Sequence, residues 1–484
     1  MNISLKENIN TLKTKTSGSA DFTVRELRLR NGESVAIITT EGMSDKESLA
    51  ISVVNPMLGC DPKKKRGEEL FDYLVENVLS AGEVIPVDTL VDALRFSMSG
   101  FAVLMVDQSL RMLAIGVQGY SHRSVSEPES ELVQRGSREG FTEASRINMT
   151  LIRRRMKTPD LVFETMTVGS VSKTELVLVY LEKKATKSSV DEVRKRLKAC
   201  DIKTVLGSGY LVPYLEDSGK NEVFTGVGIT ERPDTLCGKL TEGRIGIIVD
   251  GTPSVLVIPH LFVENFQSVD DYSNRPYFAA IIRILKYISY FAAVLFPGIY
   301  IALVNFHPDY FPKELLKNIR ESIDHTPLPL ILEVLVIDFI YEVMRESGLR
   351  LPKVLGHAVS IVGALVIGDC AINAGIIGAP TLMSVAIAAI CSYVIPDLYP
   401  QVTVLRLSFI VVGGMLGIFG VASLSAVVLV FMCSKSTLGV VYMSPLTPFS
   451  QRHMRDVFVR LGWKKLSKYE MNVQNLKGGS AYEK

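Results

Sequence analysis

The histidines and cysteines of this chain do not stand at the spacings that metal binding or nucleophilic catalysis requires. The six histidines are scattered without an HExxH pair, and the six cysteines contain no CxxC pair. Lone GxG sequences begin at Gly207 and Gly226, and neither continues as the GxGxxG that cradles a phosphate. We therefore predict no catalytic residue, no metal and no cofactor, with free thiols in a reducing compartment.

Arginines and glutamates are concentrated between residues 127 and 155. Glutamates at positions 127, 129, 131, 139 and 143 surround arginines at 135, 138 and 153 to 155. Such a set can form ion pairs between two folded units, or it can bind an anion or a lipid phosphate. Because carboxylates are already adjacent, we favour ion pairs between units. The residues predicted to couple the units are Arg135, Arg138, Glu143 and Arg153.

Asp369 is an ionisable residue within a long apolar stretch. A carboxylate at the centre of a membrane helix costs about 2.5–3.5 kcal/mol on insertion scales, so such residues usually face a polar interior. Asn373 lies four residues later, on the same helical face, and Glu333 lies in another apolar segment. A polar clamp between helices is the alternative to a functional role. The residues predicted to line a pore or ion pathway are Asp369, Asn373, Ser360 and Glu333.

The composition changes near residue 275, which predicts two different halves. The first half has mixed charge, whereas residues 278–306, 357–395 and 404–433 are apolar runs with almost no charge. A run of about 18 apolar residues is long enough to cross a bilayer as a helix. The predicted fold class is therefore an α/β soluble head of two subdomains followed by an all-α polytopic membrane domain.

The head is divided where the charge pattern changes. The predicted parts of the chain are a flexible N-terminus (1–20), head subdomain 1 (21–125), head subdomain 2 (126–272), a helical transmembrane domain (273–445) and a basic cytoplasmic tail (446–484). Residues 101–106 are expected to pair with 111–117. Asp250 and Gly251 stand between two β-branched runs, which predicts a hairpin turn.

Two ambiguous segments leave the number of membrane crossings at four or six. Residues 328–342 carry three acidic residues, so they form either an interfacial helix or a span that faces a polar interior. Residues 404–433 form one long tilted helix or two short ones split at Gly420. An even count keeps the basic tail on the cytoplasmic side with the head, as the positive-inside rule requires. The net charge of +2 predicts no nucleic-acid partner.

Four segments of the sequence resemble the GerA-type A subunit of bacterial spore germinant receptors. They follow the order of that family, and the resemblance extends over residues 21–449. The segments are RGSREGFTEASRINMTLIRRRMKTPDL (135–161), ERPDTLCGKLTEGRIGIIVDGTPSVLVIP (231–259), IVGALVIGDCAINAGI (361–376) and KSTLGVVYMSPLTPF (435–449).

The resemblance implies a subunit of the spore inner membrane that triggers germination. It implies a transporter-like B subunit and a lipoprotein C subunit as partners, and a homo-oligomer that forms a germinant-gated cation channel. An accessory channel of the same family, which amplifies germination, is an alternative. The residues themselves also leave open a secondary transporter or a scaffold without a conduction path, since transporters too use interrupted helices with a midplane acid.

Overall fold

The structure is a computed structural model that describes residues 4–119, 128, 131–217, 222–350, 370–451, 453–466, 468 and 471–476. Asp369 and Ser360, two of the residues predicted for the ion pathway, lie outside these described residues.

The first unit of the head is a five-stranded antiparallel sheet with strand order β1-β2-β4-β5-β3. The strands are β1 (Phe22–Arg28), β2 (Ser34–Thr40), β3 (Val84–Val87), β4 (Phe101–Val106) and β5 (Met112–Gly116). The helices are α1 (Leu5–Lys15), α2 (Lys46–Leu49), α3 (Asn55–Gly59), α4 (Gly67–Asn77) and α5 (Leu90–Ser97). Every residue of β4 is buried because helices cover both faces of the sheet. The predicted pairing of 101–106 with 111–117 is confirmed.

The expected flexible N-terminus is wrong for residues 5–15, which form helix α1. Leu5, Ile9 and Leu12 repeat at helical spacing and are buried against the first sheet. The backbone N–H of Leu5 also donates to Asp107 Oδ1 at 3.0 Å. Polar residues outnumber these three apolar residues in the segment. Its composition alone therefore suggested a flexible stretch, although the apolar residues form one face of a helix.

The second unit of the head is also a five-stranded antiparallel sheet, with strand order β6-β7-β9-β10-β8. The strands are β6 (Leu161–Val168), β7 (Thr174–Leu181), β8 (Gly228–Thr230), β9 (Ile245–Val249) and β10 (Val255–Ile258). The helices are α6 (Ser145–Arg155), α7 (Lys187–Lys198), α8 (Val212–Leu215) and α9 (Pro233–Thr241). Helices α7 and α8 pack on one face of the sheet, and α6 and α9 pack on the other.

A loop that contains Asp250 and Gly251 joins β9 to β10. Gly251 has a φ of +87°, which favours glycine because it has no side chain. The Asp250 carboxylate accepts the backbone N–H of Ser145 at 3.0 Å, and the N–H of Gly251 donates to the carbonyl of Glu143 at 2.8 Å. The hairpin loop is therefore attached to the first turn of α6.

Residues 269–434 are mainly helical where the structure describes them. Its helices are α10 (Val269–Ser273), α11 (Pro276–Phe306), α12 (Lys313–Asp324), α13 (Leu330–Arg350), α14 (Ala371–Asn373), α15 (Ala379–Tyr393) and α16 (Tyr399–Ser434). By length and composition, two helical stretches among the described residues are long enough to cross a membrane, Pro276–Phe306 and Pro396–Ser434. A short hairpin of β11 (Ser436–Thr437) and β12 (Val440–Val441), and then α17 (Trp463–Leu466), follow.

Helix α16 reverses direction at Gly417. This residue has φ 65° and ψ −152°, which lies outside the helical region of φ/ψ space. A methyl group added at Gly420 would lie 2.8 Å from Cγ1 and 2.9 Å from the carbonyl oxygen of Val412. In a straight helix these two positions would be about 12 Å apart. Residues 404–433 therefore form two antiparallel helices, and the break lies at Gly417 instead of the expected Gly420.

Helices α11 and α16 touch through their backbones at two glycines. A methyl group at Gly298 would lie 2.5 Å from the carbonyl oxygen of Phe409, and one at Gly413 would lie 2.5 Å from the carbonyl oxygen of Gly298. Phe306, at the end of α11, packs against Gly417. The first half of α16 consequently runs beside α11 in the same direction, with small residues at the contact.

Candidate functional site

Arg283 joins three parts of the molecule at the start of α11, and we call this contact the junction. Its guanidinium is fully buried, and Nε donates to Asp271 Oδ2 of α10 at 2.7 Å. Nη1 donates to Asp456 Oδ1 of the C-terminal segment at 2.8 Å. Tyr272 donates its hydroxyl to the same Asp456 carboxylate at 2.7 Å, and Arg460 donates to the carbonyl of Asp271 at 2.7 Å. Head, helix and tail are thus connected by one buried network.

A second buried network lies beside the junction, around Glu264. Arg244 donates to its carboxylate, and Lys239 Nζ lies 2.5 Å from it. Burial alone would raise the pKa of Glu264, but the Arg244 and Lys239 cations outweigh burial and hold the pKa well below its ordinary value. The neighbouring Phe262 donates its N–H to the carbonyl of Tyr442 at 2.9 Å. This network therefore attaches the β11–β12 hairpin region to the second sheet.

The segment between the two head units is attached to α10. The backbone N–H groups of Gln134 and Arg135 donate to Asp270 Oδ1 at 3.1 and 3.0 Å. Thr230 donates its hydroxyl to Glu131 Oε2 at 2.7 Å. Burial raises the pKa of Glu131 to about 7. The connecting segment is consequently held directly before the first long apolar helix.

The head also holds the far end of α16. Lys435 follows the last residue of that helix, and its Nζ lies 3.3 Å from Glu216 Oε1 and 2.5 Å from Glu222 Oε2. The Lys435 side chain is only 4% exposed, so the contact is largely shielded from water. Ser436 donates to Asp217 Oδ2 at 3.2 Å. Both the start of α11 and the end of α16 are therefore fixed to the head.

A cavity of about 750 Å³ lies within the junction. This volume is in the range of small-molecule sites. Its lining comes from the head, the helices and the C-terminal segment, and includes Glu131, Lys239, His260, Lys286, Asp397 and Trp463. Within the part of the chain that the structure describes, no group of three or more His, Cys, Asp or Glu side chains could hold a metal ion. Movement of α11 relative to the head would change the shape of this cavity.

Arg406 forms a buried ion-pair cluster between α16 and α13. Its Nε lies 2.8 Å from Asp338 Oδ1, and its Nη2 donates to Glu342 Oε1 at 2.6 Å. Tyr399 donates its hydroxyl to Glu342 at 2.8 Å. Sequence reasoning did not propose Arg406. The available signal was a single arginine in an otherwise uncharged run, since such a residue needs a buried acidic partner.

Two of the four residues predicted for the ion pathway are described, and they differ in environment. Glu333 is fully buried, and its Oε1 accepts the backbone N–H of Gly378 at the start of α15. Asn373 is exposed at the end of α14. The structure therefore does not bring these two side chains into one contact.

Of the predicted coupling residues, Arg153 lies between the two head sheets. Its Nε donates to Asp21 Oδ2 at 2.7 Å and its Nη2 to Asp21 Oδ1 at 3.0 Å, and both side chains are 1% exposed. Nη2 also donates to the carbonyl of Leu161 at 2.9 Å, in the first residue of β6. Arg153 therefore connects the residue before β1 to the second sheet.

The other three predicted coupling residues lie on the surface. The side chains of Arg135, Arg138 and Glu143 are exposed. Arg135 is held through its backbone by Asp270, and Glu143 through its carbonyl by Gly251. The structure does not bring these three side chains together. Sequence reasoning overlooked the acids of the junction, Asp271 and Asp456, which are 185 positions apart along the chain.

Comparison with known proteins gives consistent relatives along most of the chain. A family described as Bacillus/Clostridium GerA spore germination protein matches residues 10–471. Spore germination protein KA of Bacillus subtilis (strain 168) is 36% identical over 467 residues, with 95% of this chain and 85% of that protein covered. The uncharacterized membrane protein YfkQ of the same organism is 35% identical, with 95% and 89% covered.

A solved structure is also similar in sequence to the head. It is the crystal structure of the N-terminal domain of the A subunit of the Bacillus megaterium spore germinant receptor GerK3. The two share 33% identity, with 54% of this chain and 97% of that chain covered, at a TM-score of 0.42.

Proposed function

The chain belongs to the GerA family of spore germination proteins, and from this membership we propose that it is the membrane subunit of a nutrient-germinant receptor that triggers germination. It works in the spore inner membrane with a transporter-like B subunit and a lipoprotein C subunit. Head subdomains 21–125 and 126–272 and the tail 446–484 lie on the cytoplasmic side of the membrane domain 273–445. The name of the relative YfkQ, a membrane protein, supports the membrane location.

The proposed activity is that of an oligomeric, germinant-gated cation channel. The observation that carries it is the attachment of the head to both ends of the helical region, through Arg283 and through Lys435. A ligand opens a pore only through its different affinity for the closed and open states. Buried ion pairs at both ends connect the head rigidly to the helices. A change in the head that ligand binding favours can therefore move the helices.

We propose six membrane crossings within the expected choice of four or six. Helices α11, α13 and α15 and the two halves of α16 provide five. The sequence predicts a further crossing in the apolar run 357–395, and residues 357–369 of that run lie outside the described residues. An even count returns the tail to the side of the head, and the contact of Lys435 with Glu216 supports this parity.

Asp369, Asn373, Ser360 and Glu333 remain our proposed ion pathway, and Arg135, Arg138, Glu143 and Arg153 remain our proposed coupling residues. Spores that carry Asp369→Leu are expected to release potassium more slowly after germinant addition. The rate is compared at equal receptor level, measured by immunoblot. An unaltered rate would remove Asp369 from the pathway.

Flux into liposomes separates the channel from its alternatives. The purified chain is reconstituted, and cation flux is followed with and without the partner subunits. Flux that does not saturate supports the channel, saturable exchange of a substrate supports a transporter, and no flux under any condition supports a scaffold. Deletion of the gene distinguishes a receptor subunit, whose loss abolishes the response to one germinant, from an accessory channel, whose loss slows the response to all.

A further inference from the structure

The carboxylate of Glu333 has one oxygen without a partner. Its Oε1 accepts the N–H of Gly378, whereas Oε2 is buried and has no hydrogen-bond partner among the described residues. The side chain as a whole is 0% exposed. A buried carboxylate oxygen without a partner is costly, so it requires either a proton or a cation.

Oxygen atoms from three helices surround Gly378. A methyl group added there would lie 2.8 Å from Ser322 Oγ of α12, 3.1 Å from Glu333 Oε1 of α13 and 3.6 Å from Thr381 Oγ1 of α15. The Tyr300 hydroxyl lies 3.4 Å from Thr381 Oγ1. We call this oxygen-lined region around Gly378 the Gly378 pocket. It has the donor set that hard cations prefer, which is oxygen only.

A further hydroxyl lies one turn along α15 from Thr381. Ser384 is 2% exposed, and its Oγ has no hydrogen-bond partner among the described residues. The polar side of α15 therefore contains an unsatisfied hydroxyl, in addition to the unsatisfied carboxylate oxygen of Glu333 on α13. Both lie in a helical region whose buried surface is otherwise mostly apolar.

When Glu333 is ionised, the charge of the Gly378 pocket is negative overall. The N-terminus of α15 carries roughly half a positive charge, which offsets only part of the charge of Glu333. We propose that the Gly378 pocket binds one alkali cation, Na⁺ or K⁺, through Glu333 and the surrounding hydroxyls. A single carboxylate is too little charge for Ca²⁺, and Mg²⁺ retains its water in such sites. The physiological role of the pocket rests on the proposed channel, but binding itself does not.

Thermal unfolding of the purified full-length chain in detergent tests the proposal. NaCl, KCl or choline chloride is added at equal ionic strength. Na⁺ or K⁺ is expected to raise the melting temperature saturably, whereas choline, a bulky quaternary ammonium ion, is not. Glu333→Gln is expected to weaken the apparent affinity by roughly tenfold or more, the loss of one charge-assisted contact.

Matched variants separate the pocket from general effects on the helices. Glu346→Gln changes an exposed acid of the same helix, and Gly348→Ala adds a methyl group with no atom within 4 Å. Both are expected to keep the affinity of the unaltered chain. Gly378→Ala fills the pocket and is expected to abolish binding. Thr381→Val, which keeps the shape of the side chain, provides a milder test if Gly378→Ala does not fold.

The outcomes distinguish the pocket from the channel. Equal stabilisation of the unaltered chain and Glu333→Gln by Na⁺ and K⁺ would overturn the pocket. A melting temperature that changes with pH but not with Na⁺ or K⁺ would overturn it as well. Cation binding without liposome flux would support the pocket and contradict the channel. Flux without any saturable alkali-ion effect would contradict the pocket and support the channel.

Discussion

Among the residues that the structure describes, six arginines are less than 2% exposed: Arg153, Arg232, Arg244, Arg283, Arg406 and Arg460. Five of them pair with a carboxylate, and Arg460 donates to main-chain carbonyls. A buried charge is tolerated only when it is paired and hydrogen-bonded. These arginines lie where separate elements meet, so their loss should affect contacts between parts more than the parts themselves.

Arg153→Met is expected to destabilise the chain by about 3–5 kcal/mol, because it leaves the buried Asp21 carboxylate without its cation. Denaturant unfolding of the full-length chain measures this change. Arg154→Met is the control, since Arg154 is partly exposed and pairs with Glu139 at 3.4 Å. That control should change stability by about 1 kcal/mol or less. Equal effects of the two substitutions would contradict a special role for Arg153.

Glu131 should make the stability of the head depend on pH. Burial raises its pKa from 4.5 to about 7, against the hydrogen bonds from Thr230 and the N–H of Glu231. Between these pH values the folded chain retains a proton that the unfolded chain loses. The stabilising contribution is therefore complete below about pH 4.5 and is lost as the pH rises through about 7, a change on the order of 3 kcal/mol.

Unfolding of the unaltered chain and of Glu131→Gln, compared from pH 5 to pH 8, measures this contribution. The unaltered chain should lose stability relative to the variant as the pH rises. Parallel pH profiles would show that Glu131 titrates at its ordinary value.

Local charge identified Arg153 as a residue of interest, but its partner could not be predicted. Asp21 lies 132 positions earlier, and nothing in the spacing of the sequence links the two. The same applies to Asp271 and Asp456, which meet only because the chain returns to the head after α16. Contacts between distant segments depend on the fold as a whole, whereas burial of a charge in an apolar run, as at Glu333, follows from the local pattern.

At the scale of elements, local sequence patterns predicted strands and helices, but they did not predict how distant segments pack together. The expected pairing of residues 101–106 with 111–117 gave β4 and β5, and the apolar runs gave the positions of α11 and α16. The reversal within α16 was not decided, because several glycines stand in that run and composition does not reveal which one leaves the helical region. Nothing in the local pattern shows that Gly298 makes close contact with the backbone of α16.

The reversal at Gly417 predicts a short distance between the two ends of α16. Val404 and Val430 each lie 13 positions from Gly417, and both are more than half exposed. Spin labels at these positions should be about 10–20 Å apart, the separation of packed helices plus the labels. A straight helix would separate them by about 39 Å. Pulsed electron paramagnetic resonance of the purified chain distinguishes the two, and the longer distance would contradict the reversal.

At the scale of the whole molecule, the head contacts the helical region at both of its ends. Arg283 connects the start of α11, and Lys435 connects the end of α16. Between these attachments lie the buried cluster around Arg406 and the Gly378 pocket. A rearrangement of the head therefore acts on two helices that also touch each other at Gly298 and Gly413. This connectivity is the physical basis for our proposal that a signal reaches the helices through the junction.

Asp456→Asn tests the junction in spores. The substitution removes the charge that Arg283 and Tyr272 bind but retains the side-chain shape, so we expect a normal receptor level and slower potassium release after germinant addition. Lys464→Gln, at an exposed position in the same segment, is the control and should leave the rate unchanged. If Arg283 and Asp456 act as one unit, Arg283→Met with Asp456→Asn should slow release little more than Arg283→Met alone. Normal release from Asp456→Asn spores, at an equal receptor level, would show that germination does not depend on this network.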